Sequence, residues 1–530
     1  MIEQDKTSLP LSTTSPGLAR FLEQWQSSSR ASFVAAAIIL AVVASLCLIR
    51  AYIGLSVVRY WTDVFIYLDG GWRVLHGQLP QTDFYGSIGP ITYWLAALGL
   101  RMGGGGAQGW NYAQTLFGFF LGIWACLLTV RRFGWLAAAL MTFAITLFAV
   151  APFNFGEVPS HLSGGMIYNR YSYALVALIL VESMNASPSQ RRWMEFGGGF
   201  STGLAIAILL FLKISFFLGA GVLVAALLPS KPQTRRRWAG IATAFVLLVS
   251  VVFVVYGGNF APIFDELRTV AQTKHLVYRS AYAETAVNSG LPFLGLILLA
   301  TMLLWKHGFR WEGGAILLSG ASVLAMGFAF LISNWQLYDL PLNAIMALLV
   351  IQKLAAHTRL RDDAAFLPAI CLGMVLAIAH LGIDVYGLAM GIPERAALAH
   401  DPSTRFDSAL LEGFRCDDRD YVRWVNDGLA LARQHRADGD TVMTLDLVNP
   451  FSYTLGMPPP QGGATWLGYG NNFDEVHGPP PERIFSNASL VMVPKEFTDP
   501  NIPVVYGGYL SDHFLLLGES AQWRIFRRTT

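Results

Sequence analysis

Apolar runs of about twenty residues recur along this chain, and a fold in water cannot hide them. A membrane-crossing helix needs roughly 20 predominantly apolar residues. Runs of that kind fall at 32–57, 110–130, 133–152, 169–184, 238–257, 291–305, 314–333, 338–354 and 365–388. Hydrophobic residues make up 54% of the 530 positions and charged ones 14%, more apolar surface than one soluble core buries. The expected fold class is therefore an α-helical polytopic membrane protein. Its first run follows a polar leader and is longer than the core of a cleavable signal, so it reads as a retained anchor.

One stretch resists simple counting. Residues 197–229, "GGGFSTGLAIAILLFLKISFFLGAGVLVAALLP", exceed one span and fall short of two, with Lys213 at the middle. A single helix would bury that ammonium in hydrocarbon at a cost of about 2.5–3.5 kcal/mol or more. A hairpin of two short helices avoids it. Charge agrees, since Arg131/Arg132, Arg191/Arg192, Arg235 to Arg237, Lys306 to Arg310 and Arg359/Arg361 share one face only if this stretch crosses twice. The expectation is eleven spans, with 88–102 interfacial and the N-terminus cytoplasmic. The C-terminus then lies on the opposite face, with 59–109, 153–168, 258–290 and 333–339. A net charge of +2 divided among such clusters reports topology and gives no sign of a nucleic-acid partner.

The chain is expected to divide into a membrane part, 1–389, and a soluble mixed α/β part outside the cytoplasm, 390–530. "CDDRDYVRWVNDGLALARQH" has the periodicity of an amphipathic helix, and "DTVMTLDL", "ASLVMVPK" and "HFLLLGESAQWRIFRR" read as strands. Aromatics interrupt the Pro-rich "GMPPPQGGATWLGYGNNFDEVHGPPPERI", which suits an ordered or semi-ordered loop. Cys47, Cys126 and Cys371 lie in apolar runs and Cys416 in a polar stretch, a pattern that points to no disulfide framework or thiolate metal site.

The densest acidic cluster follows the first span. "RYWTDVFIYLDGGWRVLHGQLPQTDFYGSIGPITYW" carries Asp63, Asp69 and Asp83 among aromatics suited to the interface or to stacking on a sugar. Each aspartate is a candidate catalytic carboxylate, or else a cap or solvated loop residue. The second outer stretch, "APFNFGEVPSHLSGGMIYNRYSYAL", adds Glu157, His161 and Arg170. Pro159 argues against a shared helix face for Glu157 and His161, so a hydrogen-bonded loop pair is expected there. A divalent metal is an open alternative.

Asp63 with Tyr67 four residues on, then "LHGQLPQTDFYGSIGPITYW", and "LKIS" at 212–215, resemble the GT-C superfamily of polyprenyl-phosphate-sugar-dependent glycosyltransferases. The resemblance covers the first outer loop and the span plan, and is weak in the C-terminal part. It implies that Asp63 is the general base or orients the acceptor, and that Glu157 is the second-loop acid. Val64 stands where a neighbouring acid is usual, and "GEVPSH" departs from the DxE or DxD pattern. The implied activity is an inverting transfer of a sugar from a polyprenyl-phosphate carrier to an extracytoplasmic glycan, lipid or protein acceptor at the inner membrane.

Such a transfer needs a base for the acceptor hydroxyl and cations for the departing phosphate. Lys213, at the hairpin turn, is placed to meet that phosphate. Lys274, His275 and Arg279 of "TKHLVYRS" offer further donors, Arg170 can pair with a carboxylate or the phosphate, Tyr67 can contact the sugar, and Gln336 in "SNWQLYD" can contact the donor. The rival readings are a flippase of lipid-linked sugars, against which stands the absence of polar residues at mid-membrane across several helices, and a non-catalytic scaffold.

Overall fold

The structure, a computed structural model, describes residues 33–184, 192–227, 234–273, 279–334 and 338–529, with Arg20 and Trp25 ahead of them. The first helix, α1 (Phe33–Ile53), leads through strand β1 (Leu55–Val57) to two surface helices, α2 (Trp61–Leu75) and α3 (Pro90–Met102). There follow α4 (Gln108–Thr129), α5 (Trp135–Val150), α6 (Ile167–Met184), α7 (Arg192–Leu212), α8 (Ile214–Leu227) and α9 (Arg235–Val255). After α10 (Ala261–Thr273) come α11 (Ser280–Lys306), α12 (Arg310–Ser333), α13 (Leu342–Ala355) and α14 (Phe366–His400).

Among the described residues, seven helices are long and apolar enough to cross a membrane: α1, α4, α7, α9, α11, α12 and α14. Three more, α5, α8 and α13, are apolar but shorter. Helix α6 is buried along its whole length and forms the axis of the bundle. Together they coincide with the eleven expected segments, and the chain is a multi-pass membrane protein. Two helices outrun their expected bounds: α11 begins inside the loop expected at 258–290, and α14 continues past 390 to His400.

The hairpin at 197–229 is present. A Cβ on Gly199 would stand 2.0 Å from the Arg237 carbonyl oxygen, and one on Gly203 2.2 Å from that of Ile241. Further along, Phe211 clusters with Val252. The contacts ascend together, so α7 and α9 run parallel, and α8 must return between them. Two glycines four residues apart let those backbones touch, the close packing that small residues permit between helices in lipid.

Basic loops gather at one end. Glu182 at the foot of α6 accepts Arg132 at 2.6 Å and Arg237 at 3.0 Å. Lys306 pairs with Asp363 at 2.8 Å just before α14. Helix α14 then rises to the other end, where Gly387 abuts Phe153 and Gly391 abuts Ile53 and Leu162.

That other end carries the mixed α/β part. Strand β1 pairs in parallel with β2 (Phe414–Cys416), which fastens the exit of α1 to the C-terminal region. Helix α15 (Arg419–His435) starts where the Asp418 carboxylate accepts the Tyr421 N–H at 2.8 Å, and it buries Val422, Val425, Leu429 and Ala432, the expected amphipathic stripe. The sheet has the order β3–β4–β6–β5, built from β3 (Val442–Thr444), β4 (Leu490–Pro494), β5 (Phe514–Glu519) and β6 (Trp523–Arg528). Strands β3 and β4 are parallel and the remaining pairs antiparallel. The Pro-rich segment is ordered against the first outer loop, with Tyr85 N–H donating to Gly463 O at 2.8 Å and Thr465 N–H to Tyr85 O at 3.1 Å.

Candidate active site

Asp63 sits in the first turn of α2, where two loops are laced together. The N–H groups of Val58 and Arg59 donate to Leu162 O at 2.7 and 3.0 Å, and Gly164 N–H donates to Arg59 O at 3.0 Å. This brings Gly165 directly over the carboxylate, so that a Cβ there would stand 2.8 Å from Asp63 Oδ2. The Met166 N–H donates to the same group. Tyr60 and Met166, on either side, both hold left-handed backbone, with φ of 53° and 51°. Conformations of this kind cost roughly 1–3 kcal/mol and persist where the surroundings over-determine them. Burial pushes the Asp63 carboxyl up to about 7, and the Met166 N–H opposes that only in part.

Lys213 interrupts the helical run between α7 and α8. Its N–H closes the last turn of α7 on Leu209 O at 2.8 Å, and its carbonyl accepts Phe216 and Phe217 N–H, each at 3.1 Å. The ammonium lies over the Tyr168 ring, 4.7 Å from the centroid. Tyr168 is also within electrostatic reach of Asp63. Asp63 and Lys213, 150 residues apart in the chain, thus both neighbour one tyrosine.

Beside Lys213 lies a cavity of 210 Å³, lined by the 86–90 loop, Gln81, Ser333 and Glu266. The loop reaches it because Gly89 presses on the end of α7, where a Cβ would stand 2.3 Å from Phe211 O. Glu266 accepts the Gly86 N–H at 3.1 Å and pairs with Arg483 at 3.0 Å. Burial raises its carboxyl to about 8 against the pull of Arg483.

The other two first-loop aspartates are engaged elsewhere. Asp69 and Arg73 form an ion pair at 2.7 Å with both side chains 0% exposed. Asp69 also accepts Asn449 Nδ2 at 2.9 Å, and Arg73 donates to Pro460 O at 2.9 Å and Gly462 O at 2.6 Å. Asp83 accepts Leu79 N–H at 2.7 Å and Gln461 Nε2 at 2.9 Å. Both residues fasten the first loop to the C-terminal region.

In the second loop, Glu157 accepts the Tyr60 hydroxyl at 2.8 Å and lies 3.8 Å from Arg59, which puts it on the rim of the Asp63 site. It forms no pair with His161, whose Nδ1 has no hydrogen-bond partner among the described residues. Arg170 is buried and donates to Leu147 O, Phe148 O and Phe153 O as well as to Asp384 at 2.9 Å. Its guanidinium thus closes the end of α5 and pairs with a carboxylate, one of the two partners expected for it. Tyr67 is buried and stacked on Trp110 at 4.8 Å. Arg279 stands at the start of the helical stretch that continues as α11. Lys274, His275 and Gln336 lie outside the described residues.

Tyr168, Glu266 and the set of half-buried His380 and Asp339 with buried Asp384 were not singled out by sequence reasoning. His380 lies 3.4 Å from Asp339 and 3.6 Å from Asp384. An acidic residue in an outer amphipathic segment was the available signal for Glu266. Among the described residues, no group of three or more His, Cys, Asp and Glu side chains is arranged so that it could hold a metal ion.

Fold and site define a multi-pass helical membrane protein with a mixed α/β part packed beside the loop that carries a carboxylate, and a lysine at a helix break. No protein-family model and no curated protein matches the chain. Among solved structures it is similar to apo ArnT from Cupriavidus metallidurans, with 13% identity and a TM-score of 0.45 over 92% of this chain and 97% of that one. It is likewise similar to ArnT from Cupriavidus metallidurans bound to undecaprenyl phosphate, with 12% identity and a TM-score of 0.46 over 95% of this chain and 99% of that one.

Proposed function

We propose that this protein is an inverting glycosyltransferase of the inner membrane, drawing a sugar from a polyprenyl-phosphate carrier at the extracytoplasmic surface. The convergence of Asp63 and Lys213 on Tyr168 carries the reading. Asp63 takes the proton of an acceptor hydroxyl as that oxygen bonds to the anomeric carbon. The bond from that carbon to the phosphate oxygen breaks on the opposite face, its electron pair leaves with the phosphate, and the configuration inverts. Lys213 meets the charge that the phosphate gains. A base titrating near 7 suits this role, because proton transfer is most effective when the group's pKa lies near the working pH.

The 210 Å³ cavity beside Lys213 suits the carrier phosphate, since its acid, Glu266, is already matched by Arg483. Glu157 holds Tyr60 and with it the turn that presents Asp63. Asp69, Asp83 and Arg170 hold the scaffold. The basic loops at the far end set that end in the cytoplasm, so the C-terminal part, from the end of α14, is extracytoplasmic.

The direct test is to give the purified protein a labelled polyprenyl-phosphate sugar together with candidate acceptors in lipid vesicles. Release of free polyprenyl phosphate with a glycosylated product is the expected result. Movement of intact lipid between leaflets without cleavage would replace the transferase with a flippase.

A further inference from the structure

A second and larger opening, a groove of 670 Å³, runs between the start of α2 and the C-terminal region. Arg59, Tyr60, Trp61 and Thr62 form one wall, and residues of α15 and of the loop after β4 form the other. Thr62 immediately precedes Asp63 in the chain, so the groove runs alongside the turn that carries the proposed base. Its lining is rich in flat rings: Trp61 and Tyr421 lie 6.1 Å apart, and Tyr421 and Trp424 stack at 5.4 Å. The Tyr421 hydroxyl is buried, has no hydrogen-bond partner among the described residues, and lies within electrostatic reach of Asp63. Of the charged groups that line it, Asp418 caps α15 and Asp420 pairs with Arg423, Arg59 lies near Glu157, and Glu496 stands exposed, so carboxylates outnumber cations along the wall.

Rings beside carboxylates and amides fit one ligand chemistry best. Sugar rings put C–H faces on aromatic planes and hydroxyls toward carboxylates, whereas an acyl chain would offer Glu496 nothing to accept. The excess of acid opposes a phosphorylated or otherwise acidic chain. We infer that this groove takes the acceptor, that the acceptor is a glycan free of acidic groups, and that the Tyr421 hydroxyl helps hold the reacting sugar at Asp63. The inference rests on the transferase reading, and it is tested by binding alone, without donor or turnover.

The full-length protein in nanodiscs is applied to an array of neutral and acidic oligosaccharides, and the neutral glycans that bind are titrated by saturation-transfer NMR. Neutral glycans bind and acidic ones do not; Trp61→Ala weakens binding roughly tenfold, while Trp61→Phe, which keeps a ring, preserves it. Glu496→Lys, at an exposed position, admits an oligogalacturonate. Binding of no glycan, binding indifferent to Trp61→Ala, or preference for a cationic peptide over every glycan would each overturn the assignment. Failure of the base reading is separate: it leaves glycan binding at the groove intact and appears only in turnover of Asp63 variants.

Discussion

The Lys213 ammonium stands 4.7 Å from the centre of the Tyr168 ring, at the break that turns α7 into α8. A cation held against a ring beside a cavity, at a break between two membrane helices, is the most specific feature of the site. Lys213→Ala should weaken binding of polyprenyl phosphate by about 1.5–3 kcal/mol, the range for a hydrogen bond to a charged group. Lys213→Arg should recover most of it. Affinity measured with the purified variants checks this, and unchanged affinity in Lys213→Ala would leave the lysine with a purely structural part.

The Asp63 carboxyl, held at about 7 by burial, predicts a pH profile. The base form accumulates as pH rises through that value, so kcat/KM should climb with a midpoint near 7 and then level. Stability should run the other way. A carboxyl raised in the folded state favours folding below its unfolded value, and that contribution is lost as pH rises through the folded one. Thermal unfolding between pH 4 and 8 should therefore show a fall that Asp63→Asn flattens.

Asp69 should behave differently. With both partners of the Asp69–Arg73 pair 0% exposed, Asp69→Ala strands a buried guanidinium, which costs about 3–5 kcal/mol. The expected signature is a lower melting temperature and reduced yield, with donor affinity retained by the molecules that fold. A variant of normal stability and abolished turnover would instead move the base to Asp69.

Sidedness is checked by reporter fusion. A reporter after Thr530 should be active only outside the cytoplasm, and one inserted between residues 185 and 191 only inside. Reversed activities would turn the site to the wrong face for an extracytoplasmic acceptor.

Much of the membrane part was legible because spanning helices are local: a run of apolar residues needs no partner to declare itself, and basic clusters sort its ends. Lys213 marked the hairpin since a buried ammonium conflicts with one long helix. The acids were harder to read. Asp63, Asp69 and Asp83 look alike in sequence, and what separates them is their partners. Asn449 and Gln461 lie 380 and 378 residues from the aspartates they hold, Asp69 and Asp83. No local pattern reveals contacts at that range. The same holds for Arg170, whose carboxylate, Asp384, lies in a run read only as a span, and for the groove, whose walls meet only when β1 pairs with β2.

The central claim is that Asp63 is the base, and one measurement tests it most directly: single-turnover transfer from a labelled polyprenyl-phosphate sugar by Asp63→Asn. The substitution keeps shape and removes the proton acceptor, so the rate should fall by about 10²–10⁴-fold while donor affinity and melting behaviour stay near wild type. Transfer at close to the wild-type rate by a well-folded Asp63→Asn protein would contradict the account.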